Sequence, residues 1–433
     1  MTAHTTQNDV LARQLDALGE ARRRTLLLVE GISDEDLRRV HSPLMSPLVW
    51  DLGHIAAFED LWLVHRFAGR RMLREDLAVV YDAFETPRAH RGDLPFLEPE
   101  AALEYLADVR DHATSLMRER GIGDGALHEM VARHEHQHCE TMLQTIQLAR
   151  LVGYPAAAHH AGASAAKASG DGTSGLELLE VPAGPCTVGA GPTEFAYDNE
   201  RPRQRVEVDG FSIAKAPVTN GAYQEFIDTG GYRREELWSS EGWEWREREK
   251  VERPGGWTED MSAEWRLGGY QPLDPSSPVV HVSWYEADAF ARANDARLPS
   301  EFEWEKAASW DPVAGEARAY PWGEDAPEPG VHGNLDQLHA GPVATGSYPA
   351  GDSAYGVGDT IGQVWEWTTS IFNGYPGFSA DPYPEYSEVF FGGGYRVLRG
   401  GSWATRARVA TPSFRNWDFP QRRQIFAGIR IAK

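Results

Sequence analysis

The sequence predicts two domains of different class. An α-helical bundle spans residues 1–154, a linker 155–176, and an α+β domain with little regular secondary structure 177–433. Three observations predict this. Long runs with apolar residues at helical spacing fill the first part. The segment PAAAHHAGASAAKASGDGTSGL is small, polar and glycine-rich, which is linker composition. Beyond it helices become sparse, and short β-like runs alternate with glycine clusters.

The bundle rests on four segments. VLARQLDALGEARRRTLLLVEGI carries leucines at helical spacing and ends in glycine. SPLVWDLGHIAAFEDLWLVHRFAG opens with Ser46 as a cap and Pro47 as a favoured first-turn residue. LEPEAALEYLADVRDHATSLMRERG and GALHEMVARHEHQHCETMLQTIQLARLVG follow. Four long amphipathic helices joined by loops predict an up-and-down bundle. The stretch from about 75 to 97 is long and irregular, the kind of loop that often carries function. After the linker, LELLEVPAG and RVEVDGFSIAKAPV predict strands. NGAYQEFIDTG after Thr219, and YEADAFARANDA after Ser283 and Trp284, predict helices; the rest reads as loops.

Composition narrows the function classes. A length of 433 residues suits two cores rather than one. A formal net charge of −23 argues against non-specific nucleic-acid binding, which needs a basic surface. No apolar run is long enough to span a bilayer, so no membrane partner is expected. The N-terminus lacks a signal-peptide core. Only Cys139 and Cys186 occur, so no disulfide framework is expected and a cytoplasmic location is the natural reading.

Residues 134–138 read HEHQH. On a helix, His134 and His138 lie one turn apart on one face, where both imidazoles can reach one metal ion. His54, in WDLGHIAAFEDLW, sits in another helix of the same bundle, and bundle cores build metal sites from facing helices. Three neutral imidazoles suit zinc or ferrous iron and leave open positions. His41, in RRVHSPL, competes as third ligand but precedes Pro43 in a loop and ranks below His54. His136 points elsewhere and reads as a solvent-facing or outer residue. The H-E-x-x-H pattern also fits zinc peptidases, with Glu135 as general base. The extended pattern H-E-x-x-H-x-x-G-x-x-H fails in HEHQHCETMLQ.

The C-terminal half resembles the formylglycine-generating-enzyme (sulfatase-modifying factor) fold, a C-type-lectin-like α+β domain. VPAGPCTVGA, PVVHVSWYEADAFARANDARLPSEFEWEKAA, GDTIGQVWEWT, RVLRGGSW and FAGIRIA carry the likeness in family order. The N-terminal half resembles the DinB-like metalloprotein family through WDLGH and HEHQH. Formylglycine generators use a cysteine pair just after the GGS motif; Thr405 and Ala410 stand near those places, so that chemistry is not expected. The pairing of the two domains resembles the ergothioneine-pathway sulfoxide synthases, the hercynine oxygenases. Ovothiol-type relatives usually continue into a methyltransferase, whereas this sequence stops at Lys433.

That resemblance implies iron(II), Fe(2+), held by His54, His134 and His138, and a reaction joining a thiol to hercynine with O2. Two electrons come from forming the C–S bond and two from oxidising sulfur to the sulfoxide, so no external reductant is needed. One oxygen atom ends on sulfur and the other in water. The thiol in the actinobacterial type is γ-glutamylcysteine, with free cysteine as the alternative. Arg88 and Arg91, in ETPRAHRGDLPF, match the family's arginine pair and suit its two carboxylates. Asp418 would take the α-ammonium. Asn416 and Trp417, in FRNWDF, and Gln137, beside His138, would hold hercynine, whose trimethylammonium needs aromatic faces or weak oxygen contacts.

A tyrosine is expected to deliver a proton or hydrogen atom to the oxygen species. The Y-x-x-Y pair before FFGG gives Tyr383 as donor and Tyr386 as its substrate-binding neighbour, with Tyr375 a lesser candidate. The resemblance therefore draws on both domains, and neither half alone should be active. A zinc-dependent hydrolase and a non-enzymatic ligand-binding protein are the competing readings from other classes.

Overall fold

The computed structural model describes residues 7–152, 154, 175–192 and 195–433. The chain divides into two compact units, Met1–Ala156 and Ala157–Lys433. Most of the segment read as a linker lies outside the described residues.

In the first unit, the long helices are α1 (Gln7–Val29), α3 (Leu48–Glu59), α4 (Pro99–Arg120) and α5 (Ala126–Ala149), with a short α2 (Asp34–Arg38) capped by Ser33. Helix α1 packs on α5, and α3 on α4. The apolar stripes meet in a core that includes Leu18, Leu28, Trp50, Leu52, Leu106, Val109, Met142 and Leu143, all buried. Helix α3 departs from the expected 46–69 helix in two ways. Its N-cap residue is Pro47, and Ser46 instead accepts a hydrogen bond from Arg91. From Asp60 to Phe67 the backbone widens into a π-helix, with Asp60 accepting from the Leu73 and Arg74 amides and the Tyr105 hydroxyl. The irregular loop contains two 3₁₀ turns, Glu75–Leu77 and Arg88–Asp93.

A quartet of charges ties the bundle together. Arg22 of α1 reaches Glu59 of α3 at 2.9 Å and Glu135 of α5 at 2.8 Å. Arg110 of α4 reaches the same two carboxylates at 2.6 and 2.7 Å. All four side chains are buried, and two positive charges balance two negative ones. Pairing and hydrogen bonding are what make such burial tolerable.

The second unit contains strand pairs and one larger sheet. Leu178–Val181 pairs with Phe211–Ala214, and Gly184–Val188 with Gln204–Val208. The larger sheet runs in spatial order Asn416–Asp418, Arg396–Arg399, Trp365–Ile371, Ala427–Gly428. Helices Asn220–Asp228 and Trp284–Ala293 form where the sequence predicts them, capped by Thr219 and Ser283. Two further helices, Ser240–Glu249 and Glu301–Ser309, occupy stretches read as loop. With so few ladders, buried ion pairs hold much of the interior: Arg430 with Glu366, Arg399 with Glu305, and Arg415 with Glu301. The glycine cluster after Arg399 has a steric reason. Gly400 has φ +95°, and a Cβ there would lie 2.5 Å from the Thr360 carbonyl oxygen. No described helix is long and apolar enough to cross a membrane.

Candidate functional site

His54 projects from α3, and His134 and His138 from successive turns of α5. Their ligand atoms all lie within 4.8 Å of one another. The Nε2 atoms of His54 and His134 are 3.2 Å apart. Burial is the main reason the pKa values of His54 and His134 fall well below the usual histidine value, with their imidazole neighbours adding to it. Both rings are therefore neutral at pH 7 and present lone pairs, which is what a metal requires.

The rings are held from behind. His54 Nδ1 donates to the Tyr81 carbonyl at 2.6 Å, which turns its Nε2 toward the other two histidines. His138 Nδ1 contacts the Asp51 carboxylate at 3.1 Å. The His54 ring stacks on Trp50 with centroids 5.0 Å apart, and His134 stacks on Phe58 at 3.6 Å. None of Asp51, Tyr81, Trp50 or Phe58 was singled out from the sequence. Asp51 and Phe58 carried a readable signal, since they lie three before and four after His54 on one helix face.

The other bundle candidates are placed differently. Glu135 faces away from the histidine cluster, into Arg22, Arg110 and the Thr25 hydroxyl. Burial alone would raise its pKa, but the two guanidiniums outweigh it and bring it down to about 2. A carboxylate so placed cannot act as general base at the metal, and the peptidase role falls. His136 is not solvent-facing: it is buried, with Nε2 3.1 Å from Glu20 of α1. Two residues along the helix from His134 amount to a turn of about 200°, which carries the His136 side chain off the metal-facing row and onto α1. His41 bonds the Asp36 carbonyl in the loop before α3 and is outside the cluster. Gln137 is partly buried beside His138.

Arg91 is buried and engaged. It donates to the Thr86 and Ala83 carbonyls and the Ser46 hydroxyl, and its guanidinium lies 3.7 Å over the Trp50 ring. Burial, then the neighbouring Arg88, lowers its pKa to about 9, so it stays charged at pH 7. Arg88 is only half-buried and makes one long contact of 3.4 Å with the Leu44 carbonyl.

Within the second unit, Tyr383, Tyr386 and Trp417 form an aromatic chain. Tyr383 meets Tyr386 edge-on at 6.1 Å, Tyr386 meets Trp417 at 6.1 Å, and Trp417 stacks on Phe372 at 4.1 Å. Tyr386 also stacks on Tyr197 at 4.2 Å. Buried Ser387 fastens this loop, donating to Asp198 and accepting from Asn199 at 3.0 Å. Asn416, Trp417 and Asp418 share the edge strand of the larger sheet. Asn416 accepts the Trp417 amide, while Asp418 receives the Phe419 amide and Gln424 and lies 3.5 Å from Arg422. Tyr375 lies elsewhere, buried with its hydroxyl 3.4 Å from Glu301 and its ring under Arg415. Burial, then Glu301, raises its pKa, so the phenol keeps its proton.

Residues 17–142 match the DinB superfamily, and residues 164–433 match the sulfatase-modifying factor enzyme 1-like domain. The hercynine oxygenase of Mycolicibacterium thermoresistibile is 45% identical over 98% of this chain and 94% of its own. That of Mycobacterium tuberculosis is 45% identical over 96% of this chain and 97% of its own. The chain belongs to the hercynine oxygenase family. Ergothioneine biosynthesis protein 1 of Schizosaccharomyces pombe is 30% identical over 55% of this chain and 28% of its own. As a member of the hercynine oxygenase family the chain is an enzyme, a metal-dependent oxygenase. Its helical DinB-like region precedes a sulfatase-modifying-factor domain with sparse regular structure, as the sequence predicts. His54, His134 and His138 are the one cluster of three potential metal-ligating side chains among the described residues.

Proposed function

We propose that the chain is an iron(II) oxygenase of ergothioneine biosynthesis that joins hercynine to γ-glutamylcysteine with O2, giving γ-glutamyl hercynylcysteine S-oxide and water. The C–H of the imidazole and the S–H of the thiol are lost, a C–S bond forms, and sulfur gains one oxygen. The observation that carries this reading is the convergence of His54, His134 and His138 within 4.8 Å in a chain so like the hercynine oxygenases along its whole length. Two neutral buried rings, each with one face packed on an aromatic side chain, fit a divalent cation with positions left for substrates. Ferrous iron, when bound, supplies the redox chemistry with O2 that side chains lack.

The remaining roles belong to this chain's own residues. Tyr383, partly buried at the end of its aromatic chain, holds the proton at its phenol oxygen that the reaction consumes. Tyr386, Asn416 and Trp417 offer the aromatic faces and polar edge suited to hercynine, and Gln137 hydrogen-bonds its imidazole. Asp418 takes the thiol's α-ammonium, and Arg88 and Arg91 take its carboxylates. A cytoplasmic location follows from the thiol substrates and from two buried cysteines that form no disulfide.

One observation favours a second reading of the thiol. Arg91 already commits three donors to Ser46, Thr86 and Ala83, which weakens the case for a paired arginine clamp on a dicarboxylate. Free cysteine needs only one carboxylate partner, and Arg88 suffices for it. The test is a mass spectrum of protein reconstituted with ferrous iron and supplied with hercynine, both thiols and air. A hercynyl γ-glutamylcysteine sulfoxide is expected. A hercynyl cysteine sulfoxide overturns the thiol assignment and keeps the chemistry. No adduct from iron-loaded protein overturns the reading.

A further inference from the structure

Asp51 stands apart among the buried carboxylates of the bundle. It is fully buried in the first turn of α3, three residues before His54. Glu59 and Glu135 each sit between two guanidiniums. Asp51 has no such partner. Its Oδ1 lies 3.1 Å from His138 Nδ1, and its Oδ2 has no hydrogen-bond partner among the described residues. Arg91 feels the charge of Asp51 but gives its hydrogen bonds to Ser46, Thr86 and Ala83.

A carboxylate in this state is costly to bury without compensation. The first turn of α3 and the charge of Arg91 offset part of that cost; the direct contact with His138 ties the rest to a positive charge that the histidines collect. Three neutral imidazoles bring no charge to a dication. Asp51 brings one negative charge, delivered along the imidazole axis through the Nδ1–H to Nε2.

We infer that Asp51 is a positioning residue of the metal site: it fixes His138 with Nε2 toward the ion and supplies the anionic charge that the three-histidine set lacks. This rests on the metal-site reading of His54, His134 and His138. The contrast with His54 is part of the argument. His54 is oriented by a neutral carbonyl, that of Tyr81, so orientation alone does not need a carboxylate. A carboxylate on His138 adds donor strength as well as direction.

Two substitutions separate these contributions. Asp51→Asn keeps an acceptor for the Nδ1–H and removes the charge; Asp51→Ala removes both. The full chain is titrated with cobalt(II) alone, followed by its visible ligand-field bands and by competition with a chelator, with His138→Ala as control. Cobalt affinity is expected to fall about 10- to 100-fold in Asp51→Ala, with Asp51→Asn between it and the parent. The metal-free melting temperature of Asp51→Asn should not fall, because without metal the buried charge is only partly compensated. A purely structural aspartate would show the reverse pattern, a lower metal-free melting temperature with unchanged affinity, and that result overturns the inference. Should Asp51→Ala not fold, the near-isosteric Asp51→Asn carries the test. If His138→Ala binds cobalt like the parent, the metal-site reading itself fails. If His138→Ala loses cobalt while both Asp51 variants keep parental affinity, only the role of Asp51 fails.

Discussion

The Tyr81 ring lies directly against the bare backbone of Gly53: a Cβ on that glycine would fall 2.1 Å from Cζ of the tyrosine. This explains the glycine in WDLGH. Tyr81 must come this close because its own carbonyl receives His54 Nδ1, one residue along the helix. Gly53→Ala sets two effects against each other. Helix propensity favours alanine by about 1 kcal/mol. Overpacking a buried contact costs about 1–3 kcal/mol, and here the clash is with a ring also fixed through its hydroxyl to the Leu97 amide. The clash should win. A lower melting temperature and reduced metal occupancy by elemental analysis are expected; a more stable variant with full occupancy would count against this account.

Glu135→Gln tests the ion quartet against the peptidase-like view of HEHQH. The substitution leaves Arg22 and Arg110 buried with half their charge unmatched. Breaking such a pair costs about 3–5 kcal/mol, read as a large drop in the denaturation midpoint. If Glu135 were a general base at the metal, stability would hold and turnover alone would vanish.

Tyr383→Phe should leave the fold and metal binding intact, since the partly buried ring keeps its edge contact with Tyr386 in the variant. Sulfoxide formation should be lost, with oxidation of the thiol alone as the diversion. Product analysis by mass spectrometry decides it, and an unchanged sulfoxide yield sinks the assignment of the donor.

The two loop arginines should behave unlike each other. Arg91→Ala removes three hydrogen bonds and the stack on Trp50, so its first effect is destabilisation, by about 2 kcal/mol or more. Arg88→Ala loses only a 3.4 Å contact and should melt like the parent while the KM for the thiol rises. Steady-state kinetics beside a thermal melt separates the two. Equal kinetic effects with equal stability would restore them as a matched pair.

Acid should destabilise both units. Burial lowers the pKa of His128 in the bundle and of His281 in the second unit to about 4, against an ordinary value of 6.5. Between those values the unfolded chain binds more protons than the folded one, so stability falls as pH falls. The slope approaches about 1.4 kcal/mol per pH unit for each group. Denaturant midpoints measured from pH 7 to pH 4.5 should drop steadily. His128→Gln should flatten the bundle's share, whereas an unchanged slope in that variant would assign the loss to other groups.

The bundle was legible because its signals are local. Leucine spacing, Pro99 at the start of α4 and a histidine pair one turn apart are all read within a single helix. What could not be read is long-range. The π-helical widening after Glu59 has no spacing signature, and Tyr81 serves His54 through its backbone, 27 positions away. In the second unit, the helix Glu301–Ser309 was missed although Ser300 and Glu303 form a reciprocal cap visible as S-x-x-E. Arg399, Arg415 and Arg430 would be placed at the surface by any hydropathy argument. They are buried because distant carboxylates meet them, and only the folded chain shows which. The aromatic chain from Tyr383 to Trp417 likewise joins segments that spacing does not connect.

Arg22, Glu59, Arg110 and Glu135 come from four different helices with signs alternating around the ring. Sliding or rotating any one helix by a turn would strand a buried charge, so the quartet indexes the helices like the teeth of a lock. Glu135 directly follows His134, and Glu59 ends the helix that carries His54. The spacing between the metal-facing rows is thereby inherited from charges that never approach the metal. Grafting this centre into another bundle would therefore mean moving seven side chains together, because three histidines without the lock would have no reason to converge.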